Sequence, residues 1–167
     1  MDAHGETEAA VLVPIYDWPA NPGLVFTRRR DDLKSHSGEI SFPGGRRDAG
    51  EELQETALRE TDEELALPAS EIEVVGALPP VGTFVTSYKV YPFVGVVSAD
   101  APLTPSPDEV AEVLRLRIDE LVAGYEKRRL VRRGIPFRTD TYNVGEAMVW
   151  GATARILALL LERLGRT

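Results

Sequence analysis

A glutamate-rich segment, Gly44 to Leu67, carries the strongest helical pattern in the chain. Asp48 stands three residues before Glu51, which is the spacing of a capping box at the start of a helix, and strong helix formers fill the turns that follow. Pro68 marks the end of the run, because proline cannot continue a helix. We predict a helix from about Ala49 to Ala66.

Three glutamates fall on one side of this predicted helix. At roughly 100° per residue, Glu60, Glu63 and Glu64 lie within an arc of about 100°. The neighbouring arc is largely apolar and holds Ala57, Leu58, Thr61 and Leu65. Carboxylates crowded beside a buried stripe repel one another unless a hard cation lies between them, and Mg²⁺ prefers oxygen ligands. On charge alone, however, such a run is more often the solvated acidic face of a helix.

The spacing of the charged residues favours the metal site. The segment resembles the Nudix box of hydrolases that cleave nucleoside diphosphate derivatives, and every charged position of that box is matched. The matching residues are Gly45, Glu51, Arg59, Glu60, Glu63, Glu64 and Leu67. Two positions depart from the family pattern. Thr61 replaces an aliphatic residue, and its hydroxyl can bond to the carbonyl of Ala57 inside the helix. Ala66 replaces a glycine, so we expect the helix to end without the usual left-handed glycine.

The resemblance implies a magnesium-dependent reaction and assigns the metal ligands. Glu60 and Glu64, together with the backbone carbonyl of Gly45, would be the principal ligands of Mg²⁺, or of Mn²⁺ in its place. Glu63 would be a further ligand or the base for the attacking water. Such a cation lowers the pKa of bound water and neutralises charge on a leaving phosphate.

The resemblance also implies residues that support the metal site. Arg59 and Glu51 would form an ion pair that orients the glutamates. Many Nudix enzymes add an acidic residue from a separate loop, for which the candidates are Asp108, Glu109 and Glu112. We prefer Glu109 as this further catalytic residue, while a reading of all three as surface charges stays open.

The residues before the acidic helix resemble a second signature, that of Nudix coenzyme A pyrophosphatases. The chain keeps Thr27, Arg29, Gly38 and the run Phe42-Pro43-Gly44-Gly45. It has Arg30 in place of a small residue and Lys34 in place of an arginine, and lysine cannot form the bidentate fork of arginine. The segment Val149–Leu157 resembles the start of the last helix in that subfamily. The resemblance implies hydrolysis of coenzyme A or its derivatives to 4′-phosphopantetheine and 3′-phospho-AMP.

Coenzyme A carries a 3′-phosphate besides its pyrophosphate, so its site needs fixed cations in addition to a metal. The candidates for this substrate-binding role are Arg28, Arg29, Arg30 and Lys34. The same cations are equally well explained as charges that offset Asp31, Asp32 and the acidic helix.

Two other functions remain open at this point. One is a Nudix hydrolase for another nucleotide, such as ADP-ribose, a dinucleotide or a nucleoside triphosphate. The other is a non-catalytic nucleotide-sensing module, although the intact set of charged residues argues against it. A related isomerase on the same fold needs a cysteine acid, and this chain has no cysteine.

The rest of the chain alternates strand and helix patterns. The predicted strands are Ala9–Tyr16, Leu24–Thr27, Glu71–Leu78, Tyr88–Val97 and Val110–Ile118. Pro92 predicts an edge or a bulge in the fourth of these strands. Asp119–Ala123 is predicted as a short helix, Glu126–Val144 as an irregular basic hairpin, and Gly145–Leu164 as a long amphipathic helix. This order predicts an α/β (α+β) protein, which the family resemblance makes an α/β/α sandwich with a mixed sheet between helices.

Composition bounds the possible partners. The 167 residues predict a single domain, residues 1–167, in which residues 1–8 form a disordered start. A net charge of −8 argues against nucleic acid, and the longest apolar run is too short to span a membrane. The start is polar and acidic rather than a signal peptide, which makes the cytoplasm the default location. The expected partner is a small nucleotide, and a homodimer is left open.

Overall fold

The computed structural model describes residues 7–30, 38–83 and 87–166 of the chain. Within these residues the chain forms eleven strands and three α-helices. In chain order they are β1 (Thr7–Tyr16), β2 (Gly23–Arg29), β3 (Ile40–Ser41), β4 (Gly44–Arg46), α1 (Leu53–Leu65), β5 (Ile72–Ala77), β6 (Val81–Gly82), β7 (Tyr88–Val97), β8 (Val110–Arg117), α2 (Ile118–Ala123), β9 (Tyr125–Arg132), β10 (Ile135–Val144), β11 (Ala147–Val149) and α3 (Gly151–Arg163). Thr7 and Glu8, which we expected in a disordered start, are instead the first residues of β1.

The strands form one large mixed sheet and one small antiparallel sheet. The large sheet has the order β3-β2-β1-β7-β5, with β8 paired to β2, β4 to β1 and β6 to β7. β1 and β7 run parallel, and the other pairs of this sheet are antiparallel. β1 pairs with β2 only near Ile15 and Tyr16, and with β4 at its other end. The two strands therefore separate, and β4 with its two glycines lies beside β1.

Helices cover both faces of the large sheet, as predicted for an α/β/α sandwich. Side chains alternate between the faces of a strand, so neighbouring residues of β1 enter different cores. Ala10 and Leu12 pack with Ala57 of α1. Val13 and Ile15 join the core on the opposite face, which includes Ile156, Leu157, Leu160 and Leu161 of α3.

The acidic helix begins later than predicted. Asp48 and Glu51 do not cap it, because the N–H of Glu51 donates to the carbonyl of Asp48 in a turn where Gly50 has φ +80°. The capping box is formed instead by Glu52 and Glu55, and α1 starts at Leu53. This shift leaves the Glu51 side chain outside the helix.

The last helix also begins later than predicted. The prediction placed its start at Gly145, but Ala147–Val149 forms β11, which pairs with β10. Gly145 lies in the turn between these strands with φ +59°, a left-handed conformation that favours glycine. The predicted hairpin is confirmed as β9 and β10, and it extends into this third strand.

Pro92 does not mark an edge strand. β7 pairs with β1 on one side and with β5 and β6 on the other, so it lies inside the sheet. β5 ends opposite Phe93 and β6 begins opposite Val90, and between them the carbonyl of Pro92 accepts a hydrogen bond from Leu78 at 3.0 Å. The missing N–H of proline therefore falls where the partner strand changes. Among the described residues no helix is both long and apolar enough to cross a membrane.

Candidate active site

Two glycines of β4 bring the backbone against the carboxylates of α1. The N–H of Gly44 donates to Oε2 of Glu64 at 2.8 Å. A Cβ atom added to Gly45 would lie 2.5 Å from the carboxylate carbon of Glu60, so any larger residue would displace that side chain. The glycines of the predicted motif are therefore required by close approach rather than by a left-handed backbone.

Glu64 and Glu60 are held in surroundings that disfavour their charge. Glu64 has only 8% of its surface exposed, and this burial raises its pKa to about 8 despite the hydrogen bond from Gly44. The negative charges of Glu60 and Glu109 raise it further. The pKa of Glu60 is also raised, first by burial and then by Glu63 and Glu109, while Arg59 opposes the shift. A cation placed between these carboxylates would relieve the repulsion.

Arg59 joins the glutamates into one network. Its Nε donates to Oε2 of Glu51 at 2.7 Å and its Nη2 to Oε1 of the same carboxylate at 3.1 Å, a bidentate pair. Its Nη1 donates to Glu60 at 3.0 Å and to Glu63 at 3.2 Å. The hydroxyl of Thr56 also donates to Glu51 at 2.6 Å. These bonds, led by that of Arg59, hold the pKa of Glu51 down to about 2.

The loop before β8 is fastened to the end of α1. The N–H groups of Thr104 and Ser106 donate to the carbonyls of Leu65 and Glu64, each at 2.8 Å. Helix C-termini leave such carbonyls without intrahelical partners, and here the loop supplies the donors. Sequence reasoning missed Thr104 and Ser106, because bonds made by backbone N–H groups leave no pattern in side-chain type.

Of the three loop acids, Glu109 is the one whose charge acts on the glutamate pair. Its negative charge raises the pKa of both Glu60 and Glu64. Glu112 is instead paired with Arg28, whose Nε donates to it at 3.2 Å. These contacts favour the choice of Glu109 over Glu112 as the further acid, and the backbone turn at Ser106 places it there.

The basic residues at the end of β2 point to different neighbours. Besides Glu112, Arg28 contacts the carbonyl of Gly38 at 3.5 Å. Arg30 donates from Nη1 to the carbonyl of Pro107 at 2.7 Å. Arg29 lies on the same face of β2 as Val25, which packs with Leu65 of α1, and its positive charge lowers the pKa of Glu64. Lys34 lies outside the described residues.

Both departures from the family pattern are accommodated in α1. The hydroxyl of Thr61 donates to the carbonyl of Ala57 at 2.7 Å, as predicted, so this buried hydroxyl is satisfied. Ala66 adopts the left-handed conformation itself, with φ 55°, and its N–H donates to Asp62. The helix therefore ends without a left-handed glycine, as predicted, because an alanine adopts the left-handed conformation in its place.

The residues present fit a cation that is shared between protein and substrate. Within residues 7–30, 38–83 and 87–166, no three acidic or histidine side chains enclose a metal position. Mg²⁺ commonly uses one or two carboxylates and completes its shell with water and substrate phosphates. Glu64, which is buried, and Glu60, which is half-buried, repel one another beside Gly44 and Gly45 of β4 and provide such a partial set.

Comparison with known sequences identifies the same family as the glutamate motif of α1. The NUDIX domain family matches residues 6–135. The uncharacterized Nudix hydrolase NudL of Pectobacterium atrosepticum is 40% identical over 157 residues, covering 92% of this chain and 81% of that protein. NudL of Escherichia coli O7:K1 is 39% identical over 161 residues, covering 95% and 83%.

Comparison with solved structures supports the same fold. The NUDIX domain of Shewanella oneidensis NrtR, complexed with ADP ribose, has a TM-score of 0.64 at 15% identity and covers 95% of this chain and 88% of that one. The MutT protein of Methanosarcina mazei Go1 has a TM-score of 0.63 at 16% identity, covering 97% and 96%. At these identities the structures show the fold alone. With the sequence matches, they establish that this chain belongs to the Nudix family and is a pyrophosphohydrolase of a nucleoside diphosphate derivative.

Proposed function

We propose that the chain hydrolyses the pyrophosphate linkage of coenzyme A or its derivatives to 4′-phosphopantetheine and 3′-phospho-AMP. The observation that carries this proposal is the position of Arg29 at the end of β2, where it pairs with Val110 next to Glu109 and where its charge acts on Glu64. A fixed cation near the carboxylates of α1 supports a substrate that carries a further phosphate besides its pyrophosphate. The signature from Thr27 to Gly45 supports the same substrate.

Glu60, Glu64 and the carbonyl of Gly45 would hold the metal, with Glu63 as a further ligand or as the base. Nudix hydrolases generally use a divalent metal such as Mg²⁺, and Mn²⁺ is the alternative. When bound, the cation supplies charge neutralisation at the phosphate oxygens and acidifies a water molecule. Only 8% of the surface of Glu64 is exposed, so its carboxylate is shielded from bulk solvent.

The remaining residues orient the site and take up the proton. Arg59 holds Glu51, Glu60 and Glu63 in fixed positions through the bonds described above. The attacking water forms a new bond to phosphorus, its proton passes to a carboxylate, and the bridging P–O bond breaks so that the leaving phosphate takes the electron pair. Glu63 and Glu109 are the two candidates for the proton acceptor.

A product assay tests the proposal. The purified protein is offered coenzyme A, dephospho-coenzyme A, ADP-ribose and a nucleoside triphosphate in parallel with Mg²⁺, and the products are separated by chromatography. Release of 3′-phospho-AMP at the highest rate would support the coenzyme A assignment. Faster cleavage of ADP-ribose would favour the second candidate, which rests on the ADP ribose bound in the similar NrtR domain. An absence of turnover would favour a nucleotide-sensing module.

The role of Arg29 has its own test. Arg29→Ala should raise KM for coenzyme A by about tenfold, because a hydrogen bond between charged groups contributes about 1.5–3 kcal/mol. KM for dephospho-coenzyme A should change much less, since that substrate lacks the 3′-phosphate. Arg138→Ala, in the exposed β9–β10 hairpin, is the matched control. Equal effects of Arg29→Ala on both substrates would remove Arg29 from 3′-phosphate recognition.

A further inference from the structure

We infer that Arg30 is a positioning residue that holds the loop carrying Glu109 against the carboxylates of α1. This inference rests on the proposed role of Glu109 in the metal site. Arg30 stands where the coenzyme A pyrophosphatase signature has a small residue, so the contact is a feature of this chain rather than of that signature.

Arg30 holds the loop at two points. Its backbone N–H donates to the carbonyl of Glu109 at 3.2 Å, and its Nη1 donates to the carbonyl of Pro107 at 2.7 Å. The second hydrogen bond is charge-assisted and short, which makes it stronger than a hydrogen bond between neutral amide groups. The two acceptors lie on either side of Asp108, so the backbone on both sides of that residue is tied to the end of β2.

The opposite side of the loop is tied to α1. Ser106 donates to the carbonyl of Glu64, and its own carbonyl accepts the N–H groups of Glu109 and Val110 at 3.2 and 2.9 Å. The loop therefore bridges α1 and β2, and Glu109 comes from its β2 end. Without the Arg30 side chain, that end would lose its bond to Pro107 and keep its backbone contacts with β2, those of Arg30 with Glu109 and of Arg29 with Val110.

A bulge in β8 shifts the register of its pairing with β2 just after this end of the loop. Arg28 pairs with Glu112, whereas Arg29 pairs with Val110, so Ala111 is an extra residue in β8. A bulge interrupts the regular ladder and turns the strand, and bulges often redirect side chains near active sites. Before the bulge the pairing continues in the shifted register, with Val110 opposite Arg29 and the carbonyl of Glu109 bonded to the N–H of Arg30. The side chain of Arg30 therefore starts directly beside the loop end that carries Glu109.

The test measures Mn²⁺ binding in the absence of substrate, by electron paramagnetic resonance of the free ion. Arg30→Met keeps a long side chain but removes the charge and the donors. It should raise the Kd for Mn²⁺ by about tenfold, the lower end of the effect expected for residues that orient metal ligands. Arg30→Lys, which can still donate to one carbonyl, should restore most of the affinity.

A double-mutant cycle with Glu109→Gln identifies the route of the effect. If Arg30 acts through Glu109, Arg30→Met should change the Kd less than about twofold in the Glu109→Gln background, because coupled residues are non-additive. Arg117→Met is the control, since Arg117 likewise donates to a loop carbonyl, that of Asn21, at the other end of β8. It should leave the Mn²⁺ affinity unchanged.

The outcomes separate this inference from the proposed function. An unchanged Kd in Arg30→Met, or equal effects of that change in both backgrounds, would overturn the positioning role. So would an unchanged Kd in Glu109→Gln. A change in KM that depends on a substrate phosphate, with kcat and the Mn²⁺ affinity intact, would make Arg30 a substrate contact. Failure to cleave coenzyme A would remove only the proposed substrate, because the metal-binding measurement needs no substrate.

Discussion

Two carboxylates on either side of Arg59 in the chain, Glu51 and Glu64, have opposite electrostatic surroundings. Glu51 receives both arms of the Arg59 guanidinium and the Thr56 hydroxyl, and its pKa falls to about 2. Glu64 is buried, receives a neutral amide from Gly44, and its pKa rises to about 8. The first carboxylate has its counter-charge within the protein, whereas the second lacks sufficient compensation and is suited to an added cation.

The hydrogen bonds of Arg59, the one arginine of α1, account for this difference between Glu51 and Glu64. Arg59 is aimed mainly at the orienting residue Glu51 and secondarily at Glu60 and Glu63, rather than at Glu64. A guanidinium at Glu64 would compensate the buried negative charge and weaken its attraction for any added cation. The network therefore fixes the geometry of the site and leaves its deepest carboxylate available.

Glu64→Gln should give the largest change in activity. The substitution keeps the size of the side chain and an oxygen that can accept the Gly44 N–H, but removes the charge. We expect turnover to fall by at least about a hundredfold, as for the loss of a group that supports a metal. Circular dichroism should show an unchanged fold.

Asp62→Asn provides the matched control for this experiment. Asp62 is an exposed carboxylate on the same helix, and its replacement should leave turnover within about twofold, as is usual for surface positions. A loss of less than about tenfold in Glu64→Gln would contradict its role as a metal ligand.

Removal of the Arg59–Glu51 pair should have the next largest effect. Arg59→Met should lower turnover by about ten- to a hundredfold, because Glu60 and Glu63 lose the group that orients them. Glu51→Gln should act in the same direction, and the double variant should be little worse than Arg59→Met alone. Arg59→Lys should not restore activity, since lysine cannot form the bidentate pair. Additive losses would show that Glu51 and Arg59 act separately.

Spacing and periodicity were sufficient to predict the helix and the shared face of its carboxylates, whereas the layers of the fold were implied by the family resemblance. Glu60 and Glu64 share a face by helical geometry alone, and the alternation in β1 assigns its residues to two cores. The start of α1 was wrong because Asp48–Glu51 and Glu52–Glu55 both have the capping spacing. The left-handed Gly50 decided between them, and that conformation has no separate signal in the sequence.

The contacts around the site were not predictable in the same way. Arg28, Arg29 and Arg30 are consecutive and chemically identical, yet one contacts Glu112, one lies near Glu64 and one holds Pro107. Strand alternation and the bulge opposite them decide this partition, and the bulge depends on long-range pairing between β2 and β8. The three arginines therefore look like one basic cluster in the sequence, whereas the fold gives each of them different neighbours.

The two carboxylates should give opposite pH dependences of stability in the metal-free protein. Glu64 has a folded pKa of about 8 against an ordinary value of 4.5, so its contribution is complete below pH 4.5 and is lost as the pH rises through 8. Glu51, with a folded pKa of about 2, contributes above pH 4.5 and loses this contribution as the pH falls towards 2.

Urea unfolding of the metal-free protein between pH 5 and 9 measures the first of these effects. The free energy of unfolding should fall towards pH 8, and Glu64→Gln should flatten that slope. Mg²⁺ should stabilise the protein more at pH 8 than at pH 6, because ligands must be deprotonated to bind a metal. An equal slope in wild type and Glu64→Gln would show that another group is responsible.

Ala66→Gly should produce the smallest change, and it should affect stability alone. Ala66 has φ 55°, and the left-handed conformation costs an L-residue roughly 1–2 kcal/mol, a cost that glycine avoids. Part of this gain is offset by the greater freedom of glycine in the unfolded chain, so we expect a net stabilisation of about 0.5–1 kcal/mol. Urea unfolding measures this stabilisation. The control is Ala69→Gly, in the following 3₁₀ turn, which has no positive φ and should destabilise the protein.

Turnover of Ala66→Gly should stay the same, because the loop holds the last carbonyls of α1 through Thr104 and Ser106 whichever residue occupies position 66. If turnover changed together with stability, the end of α1 would contribute to the catalytic geometry and would not be a purely structural part of the helix.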